Sequence, residues 1–64
     1  MDTELLEKIG LTGIEARVYL TLLDIGTSLA GAIAQKSGIH RRTVYDALER
    51  LIEKGLVTYI KSNN

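Results

Sequence analysis

The stretch Ala34-Gln35-Lys36-Ser37-Gly38-Ile39-His40-Arg41-Arg42-Thr43-Val44-Tyr45-Asp46 decides how this 64-residue chain is read. It joins two helical patterns through a glycine-containing turn. Before the turn, Ser28 is a natural N-cap for a short helix from about Leu29 to Ser37, with Gly38 just past its end. Leu29 and Ile33 are its apolar anchors at i, i+4. Ala30, Gly31, Ala32 and Ala34 keep its surface small enough for close approach to a neighbour. Gly31 costs about 1 kcal/mol of helix stability against Ala, which points to a packing reason for its presence. After the turn Ser37–His40, the spacing predicts a long helix from about Arg41 to Lys54, stopped at Gly55. Val44, Tyr45, Leu48, Leu51 and Ile52 form its inward stripe, and Arg42, Thr43, Asp46, Glu49, Arg50 and Glu53 fall on the opposite arc.

Upstream, Asp2 or Thr3 caps a short first helix through Ile9 that is expected to bury Leu5, Leu6 and Ile9, with Gly10 as its stop. Thr12-x-x-Glu15 then has the form of a capping box, each side chain satisfying an orphan backbone N–H. Ile14, Val18, Leu22 and Ile25 follow at helical spacing, and Ala16, Tyr19, Leu20 and Leu23 widen the stripe until Gly26. A helix apolar over so much of its circumference is expected to be packed from more than one side. Downstream, Leu56-Val57-Thr58-Tyr59-Ile60 is β-branched and aromatic enough to predict a strand. No repeat, linker or low-complexity segment interrupts the chain, so residues 1–64 are read as a single domain.

Composition narrows the function classes. There is no Cys, which excludes a disulfide framework or thiolate zinc site and makes the reducing cytoplasm the expected location. No apolar run approaches the ~20 residues that span a bilayer. Eight basic and eight acidic residues cancel overall, but unevenly along the chain. Residues 1–24 carry Asp2, Glu4, Glu7, Glu15 and Asp24 against Lys8 and Arg17, whereas residues 25–45 carry Lys36, Arg41 and Arg42 with no acid at all. That acid-free window predicts an anion-facing surface, with a solvated basic segment as the plain alternative. Catalysis has little to work with: the lone His40 has no partner set, no Gly-rich phosphate loop follows a strand, and Ser28, Ser37 and Ser62 lack a base and its orienter. No enzyme activity, cofactor or metal site is expected, nor a small-molecule effector site within so short a chain.

Two helices joined by a tight turn, the second basic at its start, form a helix-turn-helix. The major groove of B-DNA is about 12 Å wide and admits one α-helix whose first turns reach base edges. Here those turns carry Arg41, Arg42 and Thr43. Arginine suits guanine O6/N7 or a phosphate, and threonine offers a methyl to thymine or a hydroxyl to phosphate. Lys36 and His40 flank the turn, Ser28 lies at the start of the preceding helix, and Tyr45 has a hydroxyl at the rim of its stripe; all four are candidate phosphate contacts. Asp46 stands i+4 from Arg42 and i−4 from Arg50, so a structural ion pair is its plain reading; acceptance from a cytosine amine is the functional one.

Beyond the residues themselves, Gly10-Leu11-Thr12 through Glu15-Ala16-Arg17-Val18-Tyr19-Leu20, then Ala34–Leu51 and Glu53-Lys54-Gly55-Leu56-Val57, resemble the amino-terminal region of the TrmB family of archaeal sugar-responsive transcriptional regulators. The resemblance runs from about Leu5 to Val57. It implies a mostly α winged helix-turn-helix, three to four helices followed by a short β-strand as a truncated wing. It also implies sequence-specific binding of double-stranded DNA for transcriptional regulation, with helix 41–54 in the major groove, usually by a dimer on a palindromic operator. His40 stands where the family usually has proline, which makes the start of this helix less rigid. Family members continue into a second wing strand, a coiled coil and a sugar-binding domain that this sequence does not contain, so sugar sensing is not carried over. The open strand edge and broad apolar central helix predict a homodimer through the first helix, the central-helix face or the strand. A winged-helix protein-interaction module without DNA contact is the competing class.

Overall fold

Helix starts and stops written into the sequence set the architecture. The computed structural model describes residues 3–27 and 29–59. Four helices run in order: α1 (Thr3–Lys8), α2 (Gly13–Ile25), α3 (Ala30–Ser37) and α4 (Arg41–Glu53). At the head of α2, the Thr12 Oγ1 accepts from the Glu15 N–H at 3.1 Å and the Glu15 carboxylate accepts from the Thr12 N–H at 3.2 Å, the reciprocal pair expected of a capping box. At the tail of α4, the Leu56 N–H bonds back to the Leu51 carbonyl and the Gly55 N–H to that of Ile52. This Schellman closure places Gly55 at φ 78°, where a side chain would clash with its own backbone. The end of α1 closes in the same way, with the Leu11 N–H on the Leu6 carbonyl and the Gly10 N–H on that of Glu7. Leu6 and Leu11 are thereby turned into the core together.

That core is shared by all four helices. α2 packs against α1, α3 and α4, and α3 packs against α4. Val18, Ile33, Val44, Leu48 and Leu51 are fully buried, with Ala16, Ala30 and Ala47 between them. Of the small residues on α3, Ala30 is fully buried and Ala34 packs against the core; Leu29, expected as an anchor, is only partly buried.

Several expectations are corrected. Leu5 and Ile9 are 54% and 66% exposed, so α1 buries only Leu6 of the three apolar residues expected inside. α1 ends at Lys8, and a six-residue helix turns only one side chain fully onto α2. Ile14 and Leu23 of the broad central stripe are also exposed, because α1, α3 and α4 together do not encircle α2. The N-cap of α3 is Leu29, in extended conformation, and its side chain makes no capping bond; Thr27 Oγ1 instead accepts from the Leu29 N–H at 3.1 Å. Ser28, expected there, lies outside the described residues. Leu56–Tyr59 are bends and coil, so the expected strand is not seen over them; Ile60 lies outside the described residues.

Candidate nucleic-acid interface

The turn Gly38–His40 sets the direction of α4. Gly38 takes φ 76° and its N–H closes on the Ala34 carbonyl, ending α3; a Cβ there would meet no neighbour, so the requirement for glycine is purely conformational. Ser37 Oγ accepts from the Ile39 N–H at 3.2 Å, and Ile39 turns into the core. From α2, the Arg17 guanidinium donates to the Ser37 carbonyl at 2.8 Å and so fastens the end of α3 to the central helix. His40 is the N-cap of α4, its Nδ1 accepting from the Arg42 N–H at 3.2 Å. An imidazole that accepts at Nδ1 carries its proton at Nε2, leaving that N–H as an outward donor.

This geometry gathers His40, Arg41 and Arg42, all exposed, at the amino end of α4. The Arg41 guanidinium lies over the Tyr45 ring, 5.9 Å from its centroid, which couples the second-turn tyrosine to the cationic head. Thr43 is set off to one side: it is half-buried and lines a shallow hollow of about 330 Å³ with Thr12, Ile14, Asp46, Ala47 and Arg50. Lys36, near the end of α3, lies 4.0 Å from Asp24 in an exposed pair that contributes little to stability and leaves the ammonium at the surface. Ser28 lies outside the described residues.

The far end of α4 is fixed by a carboxylate that sequence reasoning assigned only to a cap. Glu15 is 3% exposed. Lys54 Nζ forms a hydrogen-bonded ion pair with it and donates to the Gly10 carbonyl at 3.0 Å, while Arg50 Nε stands 3.9 Å away. Burial pushes the Glu15 carboxyl up, but the Lys54 hydrogen bond, the Thr12 N–H and the charges of Lys54 and Arg50 together hold it below the usual carboxylate range. The ion pairs Arg42–Asp46 and Asp46–Arg50, which the spacing suggested, are not formed among the described residues: Arg50 turns to Glu15 and donates only to the Asp46 main-chain carbonyl at 3.5 Å. Only the Thr12-x-x-Glu15 signature hinted at Glu15, and nothing local marks Arg17 as the clamp on residue 37. Among the described residues no group of three or more His, Asp or Glu side chains is placed to hold a metal ion, and no helix is long and apolar enough to cross a membrane.

Comparison with known proteins places this arrangement. A family model described as "Sugar-specific transcriptional regulator TrmB" matches residues 6–64. The chain is 44% identical over 55 residues to the HTH-type sugar sensing transcriptional regulator TrmBL1 of Pyrococcus furiosus, covering 86% of this chain and 16% of that protein. It is 35% identical over 52 residues to the uncharacterized protein YrhO of Bacillus subtilis, covering 81% of this chain and 19% of that one. The chain thus spans less than a fifth of the length of these relatives. No solved structure gives a significant match.

Proposed function

This chain belongs to the TrmB family of transcriptional regulators, and on that footing we propose that residues 1–64 are one helix-turn-helix domain that binds double-stranded DNA with α4 in the major groove. The observation that carries the reading is the exposed pair Arg41 and Arg42 on the first turn of α4. Cations at that end oppose the helix dipole by about 0.3–1 kcal/mol each; the Tyr45 ring offsets part of this for Arg41, and an anionic partner would offset it for both. Arg41, Arg42 and Thr43 contact bases or phosphates; Lys36, His40, Ser28 and Tyr45 contact the backbone and fix the register. The domain acts in the cytoplasm as a binding module and not as an enzyme, and it holds no effector site of its own. It acts as a homodimer through the apolar side chains left exposed, among them Leu5, Ile9, Ile14 and Leu23.

Duplex affinity followed by fluorescence anisotropy tests the reading. Affinity is expected to fall steeply with salt, and Arg41→Ala with Arg42→Ala to remove most binding and flatten the log–log salt slope by about 2 while the helical spectrum survives. Unchanged affinity in the double variant refutes it and favours the protein-interaction class. Sedimentation is expected to show a dimer at micromolar concentration; a well-folded monomer there removes the dimer.

A further inference from the structure

The outward line of α4 changes sign along its length. Arg42 stands at its head, and Asp46, Glu49 and Glu53 follow on the same exposed arc. The two cations of that half, Arg50 and Lys54, are both drawn to Glu15, which lines the same hollow as Asp46 at the flank of the arc. Among the described residues the Asp46 carboxylate has no ion pair or hydrogen bond, and neither does the Arg42 guanidinium, although one helical turn separates them. An i, i+4 ion pair contributes only about 0.2–0.5 kcal/mol, and the order with the base ahead of the acid is the weaker one, so both groups are readily available to a partner. Here the two side chains stand side by side and open, about 6 Å apart along the axis at 1.5 Å per residue.

Their chemistries are complementary to different bases. A guanidinium only donates and fits guanine O6/N7, whereas an ionised carboxylate only accepts and fits the cytosine N4 amine. The same carboxylate is repelled by phosphates, so a residue in this position weakens every complex in which it finds no amine. Glu49 and Glu53 lie further from the head of α4, so Asp46 is the acid of this arc nearest to Arg42. Resting on the DNA-binding reading above, we propose that Asp46 is a specificity-determining residue: it accepts from a cytosine amine near the guanine read by Arg42, in one fixed register, and disfavours duplexes that lack this cytosine.

The test compares the wild-type chain with Asp46→Ala and Asp46→Asn by selection from a random duplex pool, followed by anisotropy on the selected duplex and on one with the cytosine replaced. The wild type is expected to select a cytosine in that register and to lose about tenfold in affinity when it is replaced. Asp46→Ala is expected to be indifferent to the replacement and to bind random duplex several-fold more tightly. Asp46→Asn keeps the side-chain shape and is expected to shift the preference to adenine, so it decides the matter if the alanine variant does not fold. A variant that retains the cytosine preference, or a wild-type pool without that cytosine, overturns the proposal while leaving DNA binding intact. A wild type that binds no duplex overturns both.

Discussion

Replacing Lys54 with Met tests the link between the tail of α4 and the head of α2. Methionine keeps the unbranched stem and removes the ammonium that bonds the buried Glu15 carboxylate and the Gly10 carbonyl. A hydrogen bond to a charged group contributes about 1.5–3 kcal/mol, and removing one partner leaves the other to bear its own desolvation. Glu15 keeps the Thr12 N–H and the nearby Arg50, and Lys54 is itself about one-third exposed, so the expected loss lies at the middle of that range, about 2 kcal/mol at pH 7. For a domain of this size that lowers Tm by about 8–16 °C. The pH dependence follows from the direction of the Glu15 shift. A carboxylate whose folded pKa is depressed contributes stability that is fully present above the unfolded value of about 4.3 and is lost as pH falls through the lower folded value. The gap between wild type and Lys54→Met, measured by circular dichroism melting, is therefore expected to be full at pH 7 and to narrow below about pH 4 as the wild type loses its advantage. A Tm at pH 7 within about 2 °C of wild type, or a gap that persists unchanged into acid, refutes the reasoning.

His40→Ala removes the Nδ1 acceptor from the head of α4 and is expected to cost about 1 kcal/mol, with His40→Asn restoring most of it in thermal melts. Gly38→Ala is expected to destabilise by about 1–2 kcal/mol through backbone strain alone, since its Cβ meets nothing; an unchanged denaturant midpoint contradicts this. Leu48→Ala empties a fully buried position and is expected to cost about 2–5 kcal/mol, enough to unfold much of so small a domain as seen by loss of cooperative melting.

The helices were legible where local chemistry fixes them. Thr12 and Glu15, Gly26, Gly38 and Gly55 punctuate the chain through backbone requirements that do not depend on distant residues, and the elements they bound agree with the expected ones within a residue or two. Which apolar faces are covered depends on how many neighbours each helix finds, and periodicity cannot count them. Leu5, Ile9, Ile14 and Leu23 carry the right spacing yet remain exposed, while Leu11 and Ile39, in turns with no period to reveal them, are buried. The strand expected at 56–60 is not seen over 56–59, and a strand depends on pairing that local composition does not supply. At the candidate site, the exposed basic head of α4 was readable from Arg41 and Arg42. The contacts that aim it were not: Arg17 reaches a carbonyl 20 positions away and Lys54 a carboxylate 39 away, distances over which sequence spacing carries no signal.

The bond from Arg17 to the Ser37 carbonyl makes two helices share one hinge pin. A helix-turn-helix is often pictured as a reading head hung on a scaffold by its turn alone, free to tilt as the groove demands. In this molecule the middle of the scaffold also grips the trailing edge of the first arm, and Glu15 of α2 grips the tail of α4, so the three helices are tied to one another at more than the turn. On the proposed DNA-binding reading, a head held this firmly is expected to leave accommodation of imperfect operators to bending of the DNA, so that flexible steps flanking the contacted bases alter affinity.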